Sequence, residues 1–196
     1  MAKEVEFYFD VGSPAAYLAW KQLPKIAAET GAQVLYRPFL LGGVFQATGN
    51  KSPMEVPAKG HYMLQDLQRF ARRYGVDFAH NPHFPINTLM LMRGAVGLQM
   101  RFPMRMPVYV DAVFHAIWVE GRNMNDPATV ATVIKDAGFE RAQFQDLASD
   151  PVVKEQLKAN STQAVGRGVF GAPTFFVGDQ MYWGQDRLDF VKEALQ

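Results

Sequence analysis

Strand-type patterning is confined to the two ends of this chain, and about a hundred residues of helix-type patterning separate them. Near the start, Val5-Glu6-Phe7-Tyr8-Phe9-Asp10 reads as a strand, a helix opens at Ser13-Pro14, and Val34-Leu35-Tyr36-Arg37-Pro38-Phe39 reads as a second strand. Ser before Pro is a strong helix start, because the hydroxyl caps free N–H groups and the N–H that Pro lacks has no partner in a first turn anyway. Tyr17, Leu18, Trp20, Leu23, Ile26 and Ala27 then recur at helical spacing as far as Gly31. Near the end, Pro173 to Val177 and Met181 to Trp183 flank Gly178-Asp179-Gln180, a strand, tight turn, strand pattern, and Asp186 to Leu195 closes as a helix. A chain so arranged has β-α-β at one end and β-β-α at the other, and a sheet requires the two to meet across the helical middle.

Within that middle, apolar periodicity predicts helices over Met63 to Tyr74, Thr88 to Met100, Pro107 to Glu120, Pro127 to Ala137, Arg141 to Ala148 and Pro151 to Gly166. Asp126-Pro127 and Asp150-Pro151 repeat the cap-then-proline signal. From Leu40 to Lys59, the run of Gly42, Gly43, Gly49, Pro53 and Pro57 predicts a long surface loop. With 48% hydrophobic residues the chain has enough apolar material for a packed core, and a net charge of +1 gives no reason to expect nucleic acid. The apolar run from Tyr109 to Val119 is short and broken by Asp111 and His115, so no membrane span is expected. The N-terminus lacks a secretory pattern, which makes a cytoplasmic protein the expectation. Zero cysteines exclude a disulfide framework, a thiolate metal site and any dithiol chemistry of the protein's own.

Two short stretches carry chemical meaning. Ser13 stands at the positive end of a helix dipole, where an anion such as a thiolate is favoured; the alternative is that it simply caps the helix. In Phe170-Gly171-Ala172-Pro173-Thr174-Phe175 a proline opens an apolar strand, which suits either an ordinary strand start or a cis turn presenting the Ala172 backbone to a ligand. Gly166-Arg167-Gly168-Val169-Phe170-Gly171 matches a dinucleotide pattern in spelling, but it runs from helix to strand, the reverse of the required context. His80-Asn81-Pro82-His83 lacks an acidic companion for a metal, and no metal is expected. Ser13 also lacks the flanking pattern of a hydrolase nucleophile. The Met-rich and aromatic stretches read as core, with a few side chains left for an apolar pocket.

Taken in order, Phe9-Asp10-Val11-Gly12-Ser13-Pro14-Ala15-Ala16-Tyr17-Leu18-Ala19, Gly49-Asn50-Lys51-Ser52-Pro53 with Lys59, Phe84-Pro85-Ile86-Asn87-Thr88, Val169 to Thr174 and Tyr182-Trp183-Gly184-Gln185-Asp186-Arg187 resemble the 2-hydroxychromene-2-carboxylate isomerases and kappa-class glutathione transferases along essentially the whole chain. The resemblance implies an α/β thioredoxin-like fold with an all-helical, DsbA-like insertion: a glutathione-binding domain of residues 1–58 and 167–196, and an insertion of residues 59–166. Ser13-Pro14-Ala15-Ala16 stands where thioredoxin-like oxidoreductases carry two cysteines, which fits a protein that borrows the thiol of glutathione and activates it with the Ser13 hydroxyl. By the same resemblance Ala172 beside Pro173 meets the cysteinyl part of glutathione, Gln185 and Asp186 hold its γ-glutamyl end, Asn50 and Lys59 hold the glycyl end, and Trp183 and Gly184 also belong to the glutathione site. Phe45, Ile86, Asn87 and Arg93 are the expected substrate-side residues. Isomerases of this type place a lysine near Phe45 and a tyrosine near Ile86, so a substrate carboxylate would need Lys51, Arg93 or Asn87 instead. The implied activity is glutathione-dependent isomerisation of an aromatic 2-hydroxychromene carboxylate in a homodimer; a kappa-like transferase and a non-catalytic glutathione-binding module are the alternatives.

Overall fold

The structure is a computed structural model that describes residues 3–196. Four strands form one mixed sheet in the order β2-β1-β3-β4. Strand β1 (Glu4–Phe9) runs parallel to β2 (Gln33–Pro38), from Glu4 opposite Gln33 to Phe9 opposite Pro38, and helix α1 (Pro14–Thr30) makes the crossover between them. On its other side β1 pairs antiparallel with β3 (Thr174–Val177), which continues through a tight turn into β4 (Gln180–Trp183). The first and last parts of the chain thus share one sheet, as the end-loaded strand pattern predicts.

The central strand is buried on both faces. Phe7 and Phe9 pack with Trp20, Phe114 and Phe175 in the main core, whereas Tyr8 turns to the opposite face against Phe39 and Phe176. The second half of the strand serves two cores at once, which is why Phe7-Tyr8-Phe9 shows no polar beat. The helices of the middle segment are α3 (Pro57–Tyr74), α4 (Leu89–Arg101), α5 (Met106–Trp118), α6 (Pro127–Asp136), α7 (Arg141–Ser149) and α8 (Pro151–Gly166). Their starts at Pro127 and Pro151 follow Asp126 and Asp150, whose carboxylates accept the N–H groups of Thr129 and Val152.

One expectation is overturned. Residues 40 to 59 are not a loop: they contain α2 (Leu41–Thr48), a 3-10 turn (Pro53–Glu55) and the first residues of α3. Leu41, Val44, Phe45 and Thr48 have helical spacing, but no local side chain caps the start of α2, because Leu40 holds the cap position. The Leu41 N–H is accepted instead by Asp10, thirty-one positions earlier. At the other end of the chain, a 3-10 turn (Gln185–Arg187) precedes α9 (Leu188–Ala194), where a single helix from Asp186 was expected.

Candidate active site at the tip of the first helix

Where β1 leaves the sheet, Asp10 is only 1% exposed and carries three hydrogen bonds. Its Oδ1 accepts the Gly12 N–H at 2.9 Å, and its Oδ2 accepts the Leu41 N–H at 2.8 Å and the Thr88 hydroxyl at 3.1 Å. Burial raises the Asp10 pKa above the ordinary carboxylate value, and the three donors only partly counter it. One carboxylate therefore joins the turn before α1, the start of α2 and the residue that opens α4.

Ser13, 5% exposed, both accepts and donates through its hydroxyl. As the cap of α1, its Oγ accepts the Ala16 N–H at 3.1 Å; as a donor, it reaches the Ala172 carbonyl at 3.0 Å, across 159 positions of sequence. The Ala172–Pro173 bond is cis, as is Phe84–Pro85. Each of four successive carbonyls in this turn has a donor. Asn50 Nδ2 reaches Phe170 at 2.8 Å, Thr174 Oγ1 reaches Gly171 at 2.8 Å, Ser13 reaches Ala172, and the Gly184 N–H reaches Pro173 at 3.0 Å. Gly171 is required for the same turn, since a Cβ there would lie 2.5 Å from Trp183 Nε1.

The segment after β4 is fixed from outside. Tyr74 at the end of α3 donates its hydroxyl to the Gln185 carbonyl at 2.8 Å. Burial, with Asp189 and Asp186 adding to it and Arg73 opposing, pushes the Tyr74 phenol up to about 12, so it remains a donor at physiological pH. The neighbouring Asp186 carboxylate is exposed and pairs with Arg187 at 2.9 Å.

These parts enclose a cleft of about 1160 Å3. Of the residues expected at the site, Ser13, Asn50, Lys59, Ala172, Trp183, Gly184, Gln185 and Asp186 line it, together with Phe45, Ile86 and Asn87. Pro173 does not, and contributes its carbonyl to Gly184 instead. Arg93 does not either: it faces a separate cavity bounded by α2, α4 and α8. Polar lining includes Asn50, Lys51, Lys59, the acids Glu55 and Asp66 and the 184–186 segment, and apolar lining includes Leu41 and Phe45 of α2, Met63 and Leu67 of α3, and Phe84 and Ile86. Asp10, His80 and Trp118 also line the cleft and were not expected there. Asp10 carried a legible signal, an acid closing an apolar strand, whereas nothing local to His80 separates it from His83, which stays outside. In the same loop Asn81 is fully buried and ties down backbone: its Nδ2 donates to Ile117 and Arg122 carbonyls, and its Oδ1 accepts the His83 N–H. Among the described residues no three potential metal-ligating side chains come together.

A cis-proline turn facing the N-terminus of the helix that follows the first strand, with a helical segment between the two halves of a four-stranded sheet, defines a thioredoxin-class protein, one without cysteine and with Ser13 at the helix tip. A family model described as a DSBA-like thioredoxin domain matches residues 4–196. The chain is 35% identical to 2-hydroxychromene-2-carboxylate isomerase of Sphingobium xenophagum, over 100% of this chain and 99% of the relative. It is 28% identical to glutathione S-transferase kappa 2 of Caenorhabditis elegans, covering 98% and 92%. A solved structure of a 2-hydroxychromene-2-carboxylate isomerase superposes with a TM-score of 0.86 at 33% identity, covering 98% of this chain and 94% of that one. The chain belongs to the DsbA-like thioredoxin family, in the group that unites 2-hydroxychromene-2-carboxylate isomerases with kappa-class glutathione transferases.

Proposed function

We propose that this protein is a glutathione-dependent isomerase that interconverts 2-hydroxychromene-2-carboxylate, or a close analogue, with the trans-benzylidenepyruvate form. The observation that carries the reading is Ser13: a hydroxyl held at the N-terminus of α1 and against Ala172, on the wall of a cleft large enough for a tripeptide and a second molecule. The lining chemistry fits glutathione, because Lys59 in the first turn of α3 suits its glycyl carboxylate and Asp186 suits its ammonium group. When bound, glutathione supplies a thiolate whose reversible addition to a conjugated double bond lets that bond rotate before the thiol leaves. Ser13 serves by re-aiming its hydroxyl hydrogen from the Ala172 carbonyl to the sulfur, which stabilises the anion, while the Ala172 backbone orients the cysteinyl unit. Asn50 holds Phe170 and so keeps the turn in place, in addition to flanking the glycyl end. Trp183, Gly184 and Gln185 bound the γ-glutamyl end, with Pro173 acting through its carbonyl on Gly184.

Apolar Phe45 and Ile86 favour a second reading, a kappa-like transferase that conjugates glutathione to an uncharged aromatic electrophile. Melting curves with and without reduced glutathione test both: no rise in Tm rejects the cleft as a glutathione site. Given binding, absorbance assays with the chromene carboxylate and with a chlorodinitrobenzene-type electrophile separate isomerase from transferase, and binding without either activity leaves a non-catalytic module. The family resemblance extends the proposal to a homodimer working in the cytoplasm on small aromatic molecules. No helix among the described residues is long and apolar enough to cross a membrane.

A further inference from the structure

The cavity that Arg93 faces is separate from the cleft and has a composition of its own. It encloses about 520 Å3 between α2, α4 and α8, a size within the ordinary range for small-molecule sites. Three cations look onto it, Arg93 from α4 and Lys154 and Lys158 one turn apart on α8, against one carboxylate, Glu155. None of the three cations forms an ion pair among the described residues. The rest of the wall is mainly apolar, with Leu40, Leu89 and Val165 among its members.

Arg93 is the informative group. A surface arginine ordinarily extends its head into water, where every N–H is solvated. Here the Nε–H is shielded from solvent and has no acceptor, while Nη1, on the exposed side, donates to the Met90 sulfur at 3.6 Å. A donor shielded from water is shielded from a guest as well, so recognition falls to the terminal Nη groups of Arg93, which lines the cavity, and two such N–H groups match the two oxygens of a carboxylate. The hydroxyl of Ser161, by contrast, is already engaged, accepting the Leu40 N–H and donating to the Leu157 carbonyl, so it shapes the wall without recognising a guest.

We propose that this cavity is an accessory binding site for a small amphipathic carboxylate, with the carboxylate on Arg93 and within reach of the Lys154 and Lys158 charges, and its apolar body against the α2 and α8 walls. The site borders the cleft through shared residues: Leu40 and Leu89 line both spaces, and Gly42 faces the cleft while Gly43 faces the cavity. The proposal stands on this cavity alone and does not depend on the chemistry assigned to the cleft.

The test is a titration of the 15N-labelled full chain with 1-naphthoate, followed by amide chemical shifts, with naphthalenemethanol and inorganic phosphate as parallel probes. Saturating shifts at Gly43, Ala47 and Lys158 are expected for 1-naphthoate, larger at these amides than with either parallel probe. Arg93→Met and the surface variant Lys158→Met should each weaken that binding about tenfold, as loss of a charged hydrogen-bond or charge partner does. Lys158→Met keeps the test valid if Arg93→Met does not fold. Shifts confined to Gly171, Trp183 and Asp186 would overturn the proposal. So would unchanged affinity in the folded variants, phosphate binding as tight as that of 1-naphthoate, or equal binding of the uncharged alcohol.

Discussion

Ser13 holds two hydrogen bonds at once, and only the one it donates is available to a ligand. The accepted bond from Ala16 keeps the hydroxyl oxygen at the helix tip, so a thiolate there meets both the donor and the positive end of α1. Ser13→Ala is expected to raise the pKa of bound glutathione by about one unit, equivalent to about 1.4 kcal/mol of lost preference for the anion. Ultraviolet titration of the thiolate in the complex measures it, and a curve superimposable on the wild type removes Ser13 from the mechanism. Steric demand at single positions is as strict. A Cβ at Gly94 would lie 2.3 Å from Phe144 Cε2 and 2.7 Å from the Tyr109 hydroxyl, both on rigid rings. Gly94→Ala should therefore cost about 1–3 kcal/mol, the usual range for overpacking a core, read as a lower urea midpoint at unchanged slope.

At the scale of elements, the site depends on contacts that hold one segment to another. Tyr74 joins α3 to the 3-10 turn that carries Gln185 and Asp186. Tyr74→Phe removes a hydrogen bond of about 1 kcal/mol, and should raise the KM for glutathione about fivefold with kcat retained. A fall in kcat at constant KM would show that the turn does something other than position the tripeptide. Asp10 is the corresponding tie for α2, and it explains a limit of the sequence reading. The helices at Pro14, Pro127 and Pro151 were legible because Ser13, Asp126 and Asp150 cap them from the adjacent position. In α2 the glycines resemble breakers and the acceptor for its first N–H comes from a distant strand, so local pattern alone points to a loop there. Motif matching named thirteen site residues without geometry, and eleven of them line the cleft. It misplaced Arg93, since periodicity cannot say which side of a buried helix meets which cavity.

Across the whole molecule, Arg167 links the end of α8 to the sheet. Its guanidinium donates to Glu6 and to the Tyr8 hydroxyl, both at 2.8 Å, and lies 3.8 Å from the Phe176 ring centre. Burial by itself would raise the Glu6 pKa, but hydrogen bonds from Arg167 and Arg37 outweigh it and hold the carboxyl below its ordinary value. A depressed carboxyl stabilises the fold fully above the unfolded-state pKa and ceases to do so as the pH falls through the folded-state one. Glu6→Gln should therefore lower Tm near neutrality and narrow the gap to wild type in acid; a gap that is constant with pH would contradict the ion pairing. The order of strands along the chain carries a last implication, for synthesis. Strand β1 is made early, but its partner β3 and the Ala172 acceptor of Ser13 emerge from the ribosome more than 150 residues later. A nascent polypeptide thus carries a half-built catalytic face through most of translation, and competence arrives only when the final strands dock, so that no shortened product lacking them can be active.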